Sequence, residues 1–132
     1  MKIEIKFRGM TIDAPHIWVY GFLMCNYDPQ TKENTVCDAY IYRGLRNIEN
    51  AIPVIIESVG QFTGLTDKNG REIYEGDIIQ NSAAKWAVIF NKGCFCGKHL
   101  RFYTLQDGTH IALRAIRNIE VIGNIYEIPE LL

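Results

Sequence analysis

The sequence predicts an all-β protein, built as a sandwich or a barrel. Its apolar segments are short, and turn residues separate them at intervals of roughly 8–12 residues. No segment keeps a helical periodicity beyond about two turns. The 132 residues suit one domain or two small halves packed together. At this length about two-thirds of the unfolded surface can be buried, so a real hydrophobic core is expected.

In the N-terminal half, alternation of apolar with polar residues marks the first strand, and apolar aromatic segments mark the next two. The polar residues 26–34 read as the loop of a hairpin. Residues 43–51 are compatible with a short helical turn, which Pro53 must end because its ring blocks helix continuation. The strands predicted here are Ile3–Arg8, Ile17–Met24, Val36–Tyr42 and Pro53–Val59.

The segment Gly60–Asp77, with the sequence GQFTGLTDKNGREIYEGD, is the most informative part of the chain for fold class. Asn69-Gly70 tolerates the positive φ that tight hairpin turns demand, and Asp67 and Asn69 can hydrogen-bond their own turn. Gly76-Asp77 bends the chain into a new strand. Glycine and Asx residues usually serve turns, so a structural role is favoured for Gly60, Gln61, Gly64, Asp67, Asn69, Gly70, Tyr74, Gly76 and Asp77. A smaller weight goes to a binding surface around Gln61, Tyr74 and Glu75.

The C-terminal half continues the same pattern of short apolar segments. Turns are expected at residues 91–93 and 106–108, where Gly follows Asn-Lys or Gln-Asp. The strands predicted between and after them are Trp86–Phe90, Leu100–Leu105, Ile111–Leu113 and Ile119–Ile122.

Charge and hydropathy exclude several classes of protein. Lys plus Arg is 14 and Asp plus Glu is 15, which argues against a dedicated polybasic nucleic-acid or membrane-surface binder. The N-terminus alternates charged and apolar residues, unlike a signal peptide. No apolar segment approaches the roughly 20 residues of a spanning helix. We therefore expect a soluble cytoplasmic protein without membrane contact, whose four cysteines are free.

Three segments resemble the YopX family. They are the opening Lys6-Phe7-Arg8, the long central segment from Val59 to Ile79, and the ending VIGNIYEIPELL from Val121 to Leu132. The resemblance implies a phage or prophage protein with coiled β-sheets and an SH3-like barrel. On this basis we expect the barrel in residues 59–132 and a β-extension in residues 1–58. The resemblance implies no activity, and it supplies no catalytic residues.

Metal and nucleophile chemistry have weak signals. The turn at Asp67 does not fit a calcium loop, because Leu65 and Gly76 would occupy positions that need carboxylates. Cys94, Cys96 and His99 could ligate zinc, but their spacing matches no common zinc motif. The two cysteines share one face if they lie in a strand. A cysteine-dependent enzyme is the least favoured hypothesis, and no cofactor is expected.

Residues 85–117 combine basic and aromatic side chains, with Asp107 as their one acidic residue. Such a surface on a small barrel can bind single-stranded nucleic acid through phosphate contacts and base stacking. Alternating aromatics in strands more often belong to a core, and the charges opposite them to a solvated face. The candidate residues are Lys85, Trp86, Lys92, Lys98, Arg101, Arg114 and Arg117.

The leading hypothesis is a non-enzymatic interaction module that assembles with itself or with a host or phage protein. The chain has 15 aromatic residues, from 2 Trp, 7 Tyr and 6 Phe. Exposed strand edges invite pairing between chains, so self-assembly is a natural expectation for such a protein. An accessory nucleic-acid-binding role is the alternative.

Overall fold

A computed structural model describes residues 4–26, 38–43, 51–102 and 110–127. Within these ranges the chain forms β-strands and short 3-10 turns, and it has no α-helix. The chain divides into two compact units between Gln61 and Phe62, inside the fifth strand. The strands are β1 Phe7–Met10, β2 Trp18–Asn26, β3 Asp38–Tyr42, β4 Ala51–Val54, β5 Gly60–Thr66, β6 Glu72–Tyr74, β7 Asp77–Gln80, β8 Lys85–Asn91, β9 Cys94–His99, β10 His110–Ala112 and β11 Glu120–Asn124.

The N-terminal unit is an antiparallel sheet with the order β4-β3-β2-β1, and the first residues of β5 pair with β1. A bridge between Thr11 and Val54 brings the end of β1 back to β4. The backbone N–H of Ile55 donates to the Met10 carbonyl across this bridge at 2.8 Å. The sheet therefore curls around one face. The buried side chains on that face are Val19, Ala39, Ile41 and Val54.

The C-terminal unit contains the β5–β6 ribbon and a five-stranded antiparallel sheet with the order β10-β9-β8-β7-β11. Apolar side chains from β6, β7, β8 and β11 pack with those of residues 113–119, which include a 3-10 turn at Leu113–Ala115. This packing encloses a single buried cluster. Its members are Ile73, Ile79, Trp86, Val88, Leu113, Ile116, Ile119 and Val121.

The turn between β5 and β6 is held by the carboxylate of Asp67, which is 7% exposed. One carboxylate oxygen accepts the backbone N–H groups of Asn69 and Arg71, both at 2.9 Å. The other accepts the N–H of Val121 in β11 at 3.0 Å. Gly70 has φ +80° and closes the turn. Asp67 thus bonds its own turn as the sequence predicts, and it also ties that turn to β11.

The bend before β7 uses the residues that the sequence singles out. The backbone N–H of Tyr74 donates to the Asp77 carboxylate at 2.8 Å, and Gly76 has φ +93°. The ring of Tyr74 is 2% exposed and lies 5.4 Å from the Phe62 ring. Tyr74 therefore belongs to the core. The hypothesis of a binding surface that includes the Tyr74 ring is wrong.

Several strand boundaries differ from the prediction. Glu4–Lys6 lie outside β1, and Arg8, which alternation assigned to a polar face, is 3% exposed. Beyond Val54 the predicted strand Pro53–Val59 turns into a 3-10 turn at Ile56–Ser58. Cys94–His99 forms a strand that was not predicted. The predicted strand Leu100–Leu105 begins instead with a 3-10 turn at Leu100–Phe102, and residues 103–105 lie outside the described residues. Tertiary contacts override the weak local preferences in these segments.

The two antiparallel sheets confirm the all-β prediction. Neither sheet is closed within the described ranges, so the SH3-like barrel remains a prediction. The proposed helical turn falls largely on residues 44–50, which lie outside the described residues. In the part of the chain that the structure covers, no helix is long and apolar enough to cross a membrane.

Candidate functional site

One face of β2 presents large apolar side chains to solvent. Tyr20, Phe22 and Met24 are 46%, 46% and 42% exposed. They alternate along the strand and so share a face, whereas Val19 and Leu23 have the opposite phase and pack in the core. Half-buried strands normally expose polar residues on the outer side. The outer side of β2 departs from this rule.

The neighbouring strand extends this apolar surface. Tyr42 lies directly opposite Phe22, and Tyr40 lies opposite Met24, so their side chains share the face. The Tyr42 hydroxyl donates to the Met24 sulfur at 3.7 Å. We call this surface, formed by Tyr20, Phe22, Met24, Tyr40 and Tyr42, the aromatic face.

Few charged residues lie on the strands of the aromatic face. The nine residues of β2 include no Asp, Glu, Lys or Arg, and neither do Ala51–Val54, whereas β3 has one charged residue, Asp38, at its first position. At one end, the guanidinium of Arg8 stacks 4.6 Å from the Trp18 ring centroid. Natural sheets usually carry charges where association must be prevented. A contiguous row of exposed apolar side chains, such as that on β2, is instead typical of an interaction surface.

The basic residues predicted to bind nucleic acid lie on several elements. Lys98 pairs with Ala87 and with His110, and Lys85 precedes Ala87 by two residues. Lys85, Lys98 and His110 therefore share one face of the five-stranded sheet. Lys92 sits in the β8–β9 turn with φ +49°.

The remaining candidates are elsewhere. Arg101 belongs to the 3-10 turn after β9, whereas Arg114 and Arg117 are exposed near the turn at Leu113–Ala115. Trp86 is 9% exposed and packs in the core, so its ring cannot stack on a base. The exposed ring of Phe90 alternates in phase with Trp86 and faces away from Lys98. Of the seven candidate nucleic-acid-binding residues, the structure brings Lys85 and Lys98 together on one face of the five-stranded sheet.

A cleft of about 320 Å³ lies beside the Asp67 turn in the C-terminal unit. Lys68 and Arg114 contribute cationic groups, and the ammonium of Lys68 lies 3.8 Å from the Glu120 carboxylate. Sequence reasoning missed this cleft because segments about fifty residues apart line it. Its lining residues are Leu65, Thr66, Asp67, Lys68, Leu113, Arg114, Ile116, Asn118 and Ile119.

Asp67 is structural even though it lines the cleft. Burial alone would raise the pKa of its carboxyl group. The backbone N–H groups of Val121, Arg71 and Asn69, together with the Arg71 charge, outweigh burial and hold that pKa below its usual value of 3.8. Both carboxylate oxygens already accept backbone hydrogen bonds. The group therefore stays ionised at neutral pH and stabilises the turn.

Cys94 and Cys96 lie on the same face of β9, as their spacing predicts, with their sulfur atoms 3.2 Å apart. His99 has the opposite phase in the strand and packs edge-on against Trp86, with ring centroids 6.2 Å apart. The geometry thus separates His99 from the two thiols that were proposed as its partners in zinc binding. Across the residues that the structure describes, no group of three potential ligands could hold a metal.

Comparison with known proteins identifies the family. The model of the family described as YopX protein matches residues 6–132 of the chain. The chain belongs to the YopX family. A crystal structure of protein EF1440 from Enterococcus faecalis is similar over 99% of both chains, with 22% sequence identity and a TM-score of 0.54. At this identity the similarity shows a shared fold. No curated protein matches the chain.

Several residues of the central YopX segment have structural roles in this protein. Gly64, Gly70 and Gly76 have positive φ values of +84°, +80° and +93°. Asp67 and Asp77 accept backbone N–H groups. Gly60 and Gln61 pair with Arg8 and Phe7 of β1. The segment that reveals the family is therefore distinct from the aromatic face.

Proposed function

We propose that this YopX family protein is a non-enzymatic interaction module that self-associates through the aromatic face. The observation that supports this function is the row of Tyr20, Phe22 and Met24, each more than 40% exposed on a strand without charged residues. A second copy is the proposed occupant. A twofold dimer places the same apolar patch on both subunits, so neither must bring a complementary charge.

The size of the patch predicts weak association. A large side chain offers roughly 150–250 Å² of surface. Three such residues at just under half exposure therefore contribute about 300 Å² in each copy. Two copies would bury roughly 600 Å² from these side chains, below the ~1,200 Å² at which stable interfaces begin. We therefore expect a concentration-dependent dimer with a Kd in the micromolar range or weaker, and not an obligate assembly.

Sedimentation velocity over a wide range of protein concentration tests this proposal. The Phe22→Asp variant places a charge at the centre of the aromatic face and should remain monomeric. Phe90→Asp is the matched control, because Phe90 is 54% exposed on a strand of the C-terminal unit. It should associate like the natural sequence. A natural sequence that stays monomeric throughout, or equal effects of the two substitutions, would contradict self-association.

The family relationship supports further parts of this proposal. We infer a phage or prophage origin, action in the cytoplasm of the bacterial host, and an SH3-like barrel within residues 59–132. If the protein is monomeric alone, a host or phage protein becomes the partner to seek. Phe22→Asp would then be the variant with which to test any complex that forms.

Nucleic-acid binding is the second candidate function. The shared sheet face of Lys85 and Lys98 is the observation in its favour, because neighbouring cations can contact successive phosphates. Fluorescence anisotropy with labelled single-stranded DNA, duplex DNA and RNA across a salt titration tests it. Binding should weaken steeply with salt and in the Lys85→Glu/Lys98→Glu variant. Lys92→Glu, in the turn at the opposite end of the β8–β9 hairpin, should have a smaller effect. No binding at low salt would reject this function.

A further inference from the structure

The two thiols of β9 form a closely spaced pair with unequal access to solvent. Their sulfur atoms are 3.2 Å apart. Cys94 is exposed and comes directly after the β8–β9 turn, whereas Cys96 is 6% exposed. The Cys96 thiol also lies 3.7 Å from the Cys94 carbonyl oxygen. A small reagent can therefore reach the Cys94 sulfur, whereas the Cys96 sulfur is buried.

This separation is suited to a reaction between the two sulfur atoms. Reacting atoms about 3–3.5 Å apart are in a near-attack arrangement, which removes much of the entropic barrier. Thiol–disulfide exchange needs one sulfur that is open to attack a disulfide and a second sulfur that resolves the mixed disulfide. Exposure assigns the first role to Cys94 and proximity assigns the second to Cys96.

We propose that Cys94 and Cys96 form a reversible dithiol–disulfide site that reacts with low-molecular-weight disulfides such as oxidised glutathione. The Cys94 thiolate attacks one glutathione sulfur, and the glutathione S–S bond breaks to release one glutathione thiolate. Cys96 then loses its proton and attacks the Cys94 sulfur, which releases the second glutathione. The protein dithiol gives up two electrons and two protons, and one oxidised glutathione becomes two reduced molecules.

The order of these steps follows from burial. Removal from water raises the pKa of the Cys96 thiol, and the hydrogen bond and charge interaction with Cys94 raise it further. Cys96 is therefore a poor first nucleophile. Once Cys94 carries glutathione, the nearby sulfur–sulfur bond offers Cys96 an intramolecular reaction that solution thiols cannot match.

The resulting disulfide should be easy to reduce. A strand rises roughly 3.3 Å per residue, so the two Cα atoms are about 6.6 Å apart in regular β geometry. That distance is near the upper end of the ~4.4–6.8 Å found for disulfides, where strain makes the bond more reducible. Closing the sulfurs from 3.2 Å to bonding distance requires a bend at the start of β9. Cys94 can supply the bend because it borders the turn.

The proposal is tested by incubating the full-length protein at a series of oxidised-to-reduced glutathione ratios. Samples are quenched in acid, alkylated under denaturing conditions and analysed by intact mass and peptide mapping. The natural sequence and Cys25→Ser, an exposed cysteine in the other unit, should lose two alkylation sites together. The linked peptide should contain Cys94 and Cys96, without bound glutathione.

The single variants separate the two roles. Cys96→Ser should accumulate a stable glutathione adduct on Cys94, because no resolving thiol remains. Cys94→Ser should react with glutathione at Cys96 at least about tenfold more slowly than Cys94 does, because a buried thiol is inert. Persistent glutathione adducts on Cys94 or Cys96 of the natural protein would overturn the proposal. So would independent alkylation of both thiols at every ratio, or a disulfide that links other cysteines.

Discussion

Replacing Asp67 should destabilise the protein more than its position in a hairpin turn suggests. Its carboxylate accepts three backbone N–H groups, from Asn69, Arg71 and Val121, at 2.9–3.0 Å. A hydrogen bond to a charged group contributes about 1.5–3 kcal/mol, and a buried donor left unpaired costs a comparable amount. Asn69 and Arg71 are exposed, so water can replace part of their bonding. The Val121 N–H is buried and cannot be compensated in this way.

We therefore expect Asp67→Ala to lower the free energy of unfolding by roughly 3 kcal/mol. If the chain unfolds in one transition, this change corresponds to a decrease in Tm of about 10 °C. Asp67→Asn should cost about half as much, because its amide oxygen can still accept the two turn N–H groups. Its NH₂ group would face the Val121 N–H, and because both groups are donors this hydrogen bond would be lost. Urea denaturation followed by circular dichroism measures both values.

The lowered pKa of the Asp67 carboxyl group predicts that the stability of the protein depends on pH. Its folded-state pKa lies below the usual 3.8, so its stabilising contribution is fully present above the unfolded-state pKa. The contribution is lost as the pH falls through the folded-state value. The difference in unfolding free energy between the natural sequence and Asp67→Asn should be constant near neutral pH and should narrow below about pH 4.

Asp13→Asn is the control for both experiments, because Asp13 is an exposed carboxylate. Its unfolding free energy should stay within about 0.5 kcal/mol of the natural value. The reasoning would be refuted if Asp67→Ala cost less than about 1 kcal/mol. It would also be refuted if Asp67→Ala and Asp67→Asn had equal stabilities, since only the Asn side chain keeps the turn bonds.

Three further substitutions test local packing within each of the two units. Gly76→Ala combines φ +93° with a new Cβ 2.9 Å from the Tyr126 ring, so it should destabilise by about 2–4 kcal/mol. Gly64→Ala, with φ +84° and open space around its Cβ, should cost only about 1–2 kcal/mol. Ser58→Ala removes the hydroxyl that accepts the Met10 N–H at 2.8 Å and should cost about 1–2 kcal/mol. Denaturant unfolding measures all three, and equal losses for the two glycines would contradict the steric argument.

Local sequence patterns predicted the elements whose conformation depends on neighbouring residues. Glycines at turns and apolar alternation located β2, β7, β8 and β11 within a few residues. The prediction was weaker where a strand has little local signature. β9, for example, contains a glycine and two cysteines, and only its pairing with β8 and β10 makes it a strand.

The candidate surfaces depended on information that periodicity does not contain. The segment Ile17–Met24 was correctly predicted as a strand, but its apolar residues gave no indication which face would be covered. The core took Val19, whereas Tyr20 and Phe22 remained exposed. Similarly, the basic residues of 85–117 were close in sequence, and strand phase then separated Trp86 from Lys98.

By itself the sequence determined the all-β class, the position of the Asp67 turn and the family. These features follow from φ preferences, short side-chain hydrogen bonds and residue identity, all of which act over a few positions. Only the tertiary structure decided that Asp67 also binds β11, that the aromatic face is exposed and that Cys94 stands 3.2 Å from Cys96. Such contacts depend on strand register and on which sheet face packs inward. Both are set by the free energy of the whole fold.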